Sequence, residues 1–183
     1  MVFGRESGMN GMRCRVQVLV AWLLVCGVGL ASAQTTLDSP ISGVPLGQGA
    51  GVHGANSPYA PLAERSDVLP WSLLTAVKTK TEKNRILPVF GPDIQALNLK
   101  SQRVQGFMMP LSPGEKQNHF LISSVPLTCS FCLPGGPESM VEVKTKTPVK
   151  YTMEPIVMAG KFAVLKDDPY GLYYRMTEAV AVK

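Results

Sequence analysis

The strongest constraint on the fold is a two-residue alternation that returns in each segment after Arg103, with every copy ended by a turn signal. "RVQGFMMPL" reads as a strand closed by "SPGE", whose Pro113 and Gly114 suit the two central positions of a type II turn. "HFLIS" is expected to return as its hairpin partner. "SMVEVKTKT" alternates from Val141, "PIVMAGKFAVL" reads as more fully buried, and "GLYYRMTEAVAV" follows the turn signal "DDPYG". Five or more strands result. Gly106 and Gly160, each inside an apolar strand, predict sharp bends that curl a short sheet into a barrel. In the last strand Leu172, Tyr174, Met176, Val180 and Val182 share one side and are expected in the core. Glu178 has the same parity, and a bulge that resets the register accounts for it more simply than a carboxylate reaching the barrel's end. "WSLLTAVKTKTEK", with Trp71, Leu74 and Val77 at helical spacing, predicts a short helix leading in. The expectation is an all-β domain over residues 71–183, a small OB-like β-barrel with a short N-terminal helix.

Upstream, the chain divides twice more. Arg5, Arg13 and Arg15 precede an apolar run from Val16 to Leu30, and "ASA" stands before Gln34. This order is that of a secretory signal peptide over residues 1–33, cleaved near Ala33 to give a periplasmic or secreted protein. The run is shorter than the roughly 20 apolar residues that span a bilayer, so any membrane association is expected to be peripheral. Residues 34–70 hold five prolines, five glycines and no sustained apolar period, which predicts a flexible tether. His53 lies within it and gains no fixed partner on that reading. Removing residues 1–33 takes three arginines and one glutamate, so 18 basic and 13 acidic residues become 15 and 12 and the net charge falls from +5 to +3. That charge is too small to argue for nucleic acid. The lysines at 78, 80 and 83 with Arg85, and Lys144 with Lys146, read as solvated faces.

The run "LNLKSQRVQGFMMPLSPGEKQNHFLISSVPLTCSFCLPGGPESMVEV", with the "PIVMAGKF" and "YYRMTEAV" strands after it, resembles a family of small exported bacterial proteins whose domain is of unknown function. The family is marked by a V-x-x-x-GF-x-x-PL strand, a FLL-x-x strand and a cysteine-bearing, proline-rich loop. The resemblance covers about Asn98 to Val182. It implies a barrel-like β domain in the periplasm, often encoded near ABC transporters of the lipoprotein-release or antimicrobial-peptide type, some in metal-uptake neighbourhoods. An envelope protein or transporter component is the partner so implied. The family's loop commonly has one cysteine before a proline run, whereas here Cys132 adds a second and "PGGP" replaces the run.

Cys129 and Cys132, in "LTCSFCLPGGP", are the chain's one reactive constellation. Three uses fit the spacing. A structural disulfide suits an oxidising compartment with two mature cysteines. A zinc or copper(I) site is half supplied by the two thiolates, with His119 as an additional ligand and with soft thioethers among six mature methionines. A redox pair needs its first thiol at a helix N-terminus, and the Leu-Pro-Gly-Gly-Pro that follows Cys132 forbids a regular helix. No serine triad, phosphate loop or paired-acid motif competes, and Asp167 and Asp168 read as part of a turn. The sequence therefore points to a non-catalytic binding or accessory protein, with a thiol-disulfide redox protein and a structural module with a stapled loop as the alternatives.

Overall fold

The computed structural model describes residues 49–182. Along the chain come α1 (Trp71–Leu74), β1 (Lys78–Glu82), β2 (Arg85–Val89), α2 (Pro92–Gln95), β3 (Ser101–Pro110), β4 (Lys116–Ser123), β5 (Met140–Lys150), β6 (Ile156–Val164) and β7 (Tyr174–Val182). The last five strands close a barrel in the order β3–β4–β5–β7–β6, with β6 pairing back to β3. All neighbours are antiparallel except β5 and β7, which run parallel. This is a small OB-like barrel, as the alternation predicts. The signal peptide expected over 1–33 and the first part of the expected tether, 34–48, lie outside the described residues. No helix among the described residues is long and apolar enough to cross a membrane.

Alternate residues of the strands fill the barrel: Val104, Phe120, Ile122, Val141, Val143, Met158, Phe162, Tyr174 and Met176 are buried together. The Tyr174 ring packs at 5.3 Å from Phe162 and 5.7 Å from Phe90, and its hydroxyl donates to the Leu74 carbonyl at 2.5 Å. That bond fixes α1 across one end of the barrel, where Leu74 and Ile94 complete the core. Trp71 Nε1 donates to the Gln105 carbonyl at 2.9 Å and holds the same helix from its other side.

The helix is shorter than the spacing of Trp71, Leu74 and Val77 predicts. It stops at Leu74 because Thr75, Val77, Thr79 and Thr81 follow, and β-branched residues favour extended backbone. The chain then makes a hairpin, β1 with β2, turned by Lys83 and Asn84 at φ 48° and 61°. Two consecutive positive values are those of a type I′ turn. Counting from the Glu82–Arg85 pair that closes this turn, Ile86 and Pro88 occupy positions that do not bond to β1. Pro88 therefore stands in a strand without removing a ladder bond.

The bulge expected near the chain's end is present at Glu178, whose φ is 53°. Val143 pairs with Met176 and Thr145 with Ala179, so β7 takes one residue more than its partner there. The parity reverses beyond it: Ala179 is fully buried, and Val180, expected in the core, is 40% exposed. Gly160 faces this bulge, and a Cβ there would come within 2.8 Å of the Thr177 carbonyl oxygen and 3.0 Å of Ala179 Cα. A side chain at Gly106 would likewise meet Ile122 and Ser123.

The tether expected up to Pro70 differs most. Residues 49–59 and Leu69 contact the domain, while residues 63–67 are exposed. Val52 and Leu133 exchange two backbone hydrogen bonds of 2.8 and 2.9 Å, and the Leu69 N–H donates to the Arg103 carbonyl at 2.8 Å. The glycines that suggest flexibility have a different use. Gly51 adopts φ 76° and passes so close to the 133–135 backbone that a Cβ would sit 2.7 Å from the Leu133 oxygen.

Candidate functional site

β4 ends at Ser123, and the chain crosses to β5 through a loop carrying Cys129 and Cys132. Its backbone folds into two successive turns, Cys129 N–H to the Pro126 carbonyl and Cys132 N–H to the Cys129 carbonyl, each 3.2 Å. These turns bring the two Cα atoms to 5.3 Å, and the cysteines form a disulfide. Both are 7% exposed and pack with Val125 under Tyr59. The Ser57 hydroxyl lies 3.4 Å from one sulfur and 3.5 Å from the other. Phe131, between the cysteines, points outward and is 57% exposed.

Residues 49–59 act as a clasp over this loop. The Gly49 N–H donates to Glu138 Oε1 at 2.7 Å, and the Ser124 hydroxyl donates to the Ala50 carbonyl. His53, read as partnerless, stacks on Phe107 at 5.8 Å and sits 3.2 Å from the Tyr59 carbonyl oxygen. Tyr59 meets the same Phe107 edge-on at 6.2 Å. At Gly135 a Cβ would collide with the Gly49 carbonyl and come within 2.7 Å of Ser139 Cβ, which explains why the loop carries glycine there.

His119 does not join the cysteines. It lies on the outer wall of β4, four residues before Ser123, or about 13 Å of extended strand. Its Nε2 is 2.7 Å from Glu142 Oε1. Among the described residues no group of three or more His, Cys, Asp or Glu gathers as a metal site. With the thiols oxidised and the expected third ligand bound elsewhere, the residues as arranged do not fit a zinc or copper centre. Of the methionines, Met108, Met158 and Met176 are buried in the core, while Met109 and Met153 are exposed.

A polar network on the outer wall escapes sequence reasoning. Val141 and Val143 of β5 point inward and Glu142 outward, yet Glu142 is only 5% exposed. Arg175 Nε donates to one of its oxygens and His119 approaches the other, with Lys144 Nζ at 3.5 Å. Arg175 also reaches Asp168 at 3.0 Å, whose Oδ1 accepts the N–H groups of Tyr170 and Leu172. Burial pushes the Glu142 carboxyl up, but hydrogen bonds from Arg175 and His119 outweigh it and hold the group below its ordinary value. A carboxylate saturated in this way is a brace between strands and not a base. In the sequence, Glu142 looks like any outward polar residue of a strand. Asp168 does lie in the expected turn, and its link to Arg175 is a contact over seven residues that no spacing rule signals.

No protein-family model matches this chain, and no curated protein matches it. Among solved structures it is similar to a DUF3299 family protein from Pseudomonas aeruginosa PAO1, at 21% identity and a TM-score of 0.39, over 52% of this chain and 68% of that one. That neighbour is itself named as a domain of unknown function.

Proposed function

We propose that the chain is an exported, non-catalytic binding or accessory protein that presents its stapled β4–β5 loop to a protein of the bacterial envelope. The observation that supports this reading is Phe131, an exposed aromatic side chain between two disulfide-bonded cysteines. Aromatic anchors carry much of the energy of protein interfaces, and a loop already ordered loses little further entropy on docking. An ABC transporter component is the partner that the motif resemblance favours. Handling of zinc or copper at this loop would require reduction of the disulfide and ligands from the partner. A thiol-disulfide enzyme is less well supported, because Ser57, Tyr59 and Val125 cover the sulfurs and no helix begins at Cys129.

The test is cross-linking in cells followed by capture of the protein, for the native chain and for Phe131→Ser. The native chain is expected to retain an envelope protein that Phe131→Ser loses, with both exported equally. Undiminished capture by Phe131→Ser overturns the reading. A free-thiol assay on the exported protein, with metal analysis after reduction, separates the binding reading from the metal and redox alternatives.

A further inference from the structure

Three carboxylates are buried among the described residues: Glu138, Glu142 and Asp168. Glu142 and Asp168 are both matched by Arg175. Glu138, 8% exposed, belongs to none of the ion pairs of the described residues, and its partner among them is the Gly49 N–H on one oxygen. A carboxylate withdrawn from water without a cation is costly unless something supplies one.

Glu138 lines a groove of about 390 Å3 beneath the β1–β2 hairpin, together with Thr75, Val77, Ile86, Gly171 and Tyr173. A second groove of about 220 Å3 continues from it and shares Ile86, Gly171 and Tyr173. Tyr173 forms an apolar floor at 5% exposure. Its phenol is pushed up by burial and then by the charge of Glu138, so it stays protonated and able to donate. Four consecutive residues of β2, Arg85 to Pro88, border the second groove, which places the edge of that strand along it and not one of its faces. Ile86 is 69% exposed, and its N–H and C=O point away from β1 because the Ile86–Thr81 pair is a non-bonded one.

We infer that this cleft binds an extended, apolar peptide segment of a partner protein carrying one lysine or arginine. The added strand bonds to the free Ile86 backbone, its apolar side chains cover Ile86 and Tyr173, and its cation meets Glu138. Another depression, about 680 Å3 beside Arg65 and Trp71, makes no such demand. Asp67 there is held by both Arg65 and Arg103, and Glu64 is exposed to water.

The test titrates the protein with acetyl-Leu-Thr-Lys-Thr-Leu-amide, whose leucines and lysine share one face of an extended strand, and with its twin bearing norleucine in place of lysine, followed by calorimetry or NMR. The lysine peptide is expected to bind at least about tenfold more tightly, as a desolvated charge pair requires. Glu138→Gln retains an acceptor for the Gly49 N–H and removes the charge, so it is expected to abolish that difference. Ile86→Ala, on an exposed side chain, is expected to weaken both peptides several-fold without disturbing the core. Equal binding of the two peptides, a difference that survives Glu138→Gln, or no binding of either peptide overturns the inference. Partner capture through Phe131 is read in a separate experiment, and either result stands without the other.

Discussion

The barrel wall and the clasp over its β4–β5 loop are held by different means. In the wall, long runs of ladder bonds join five strands around a shared core, from Val104 to Met176. Each residue's contribution is repeated by its neighbours. In the clasp, residues 49–59 are secured by one two-bond bridge, one bond to Glu138, one to Ser124 and the ring packing of His53 and Tyr59. Close approach of backbones does the rest, at Gly51, Gly54 and Gly135. The wall should therefore fail all at once, and the clasp should open alone.

The largest effect is expected from Phe162→Ala. Phe162 is fully buried, stacked near Tyr174 and paired in register with Met176, so its removal leaves a cavity in the centre of the wall. A loss of about 3–5 kcal/mol is expected in denaturant unfolding. The clasp should be lost no later than the wall, because it has no core of its own beyond the cluster of Val125 and the two cysteines. Clasp contacts that persist after the wall has melted would show the clasp to be independently stable.

Gly54→Ala comes next and acts on the clasp alone. An added methyl would run into the Phe131 carbonyl, whose backbone cannot retreat without moving the stapled loop. The clash is expected to cost about 1–3 kcal/mol and falls on the few contacts that hold the clasp. Hydrogen exchange should then show the Val52 and Leu133 amides unprotected while those of β4 and β5 keep their protection. Gly91→Ala is the control, since nothing lies within 4 Å of a Cβ there, and it should change neither. Loss of protection throughout β4 would mean that the clasp is part of the wall.

The same contrast explains what the sequence discloses. β3 to β7 are legible because burial on one face writes a two-residue period into the chain, and even the Glu178 bulge leaves a mark by breaking it. The consequence for Val180 is less legible, since its exposure depends on which side of the bulge the register resets. The β1–β2 hairpin carries no such period. "KTKTE" is exposed at every position, so burial leaves no pattern in it, and Lys83–Asn84 is a weaker turn signal than Asn-Gly. The clasp is harder still, because its partners lie 48 to 89 residues away and its glycines mark close contact where composition alone suggests freedom. Cys129 and Cys132 are visible as a pair. The burial that covers them, by Ser57 and Tyr59, is not.

The disulfide ranks third. It closes a loop of four residues, which removes little entropy from the unfolded chain, and replacing both cysteines by serine is expected to cost about 2 kcal/mol or less. The barrel should remain folded, with the loss of protection confined to the β4–β5 loop and residues 49–59. A double variant that fails to fold would transfer the loop from the clasp to the wall.

The smallest effect expected is a dependence on pH, and it belongs to the wall. Glu142 is held below its ordinary value in the folded protein, so folding favours its ionised form. The stabilisation it gives is complete above the unfolded carboxyl value, about 4.3, and is lost as pH falls through the lower folded value. The size is limited because Lys144 is 50% exposed and solvent screens its charge. Melting followed from pH 7 down to pH 3 should thus decline more steeply for the native chain than for Glu142→Gln, which cannot titrate at this position. Amides of β5 and β7 near Glu142 and Arg175 should lose protection first, since that carboxylate bridges the two parallel strands. If the two proteins decline in parallel, the brace contributes nothing to the acid response, and the wall depends on its core alone.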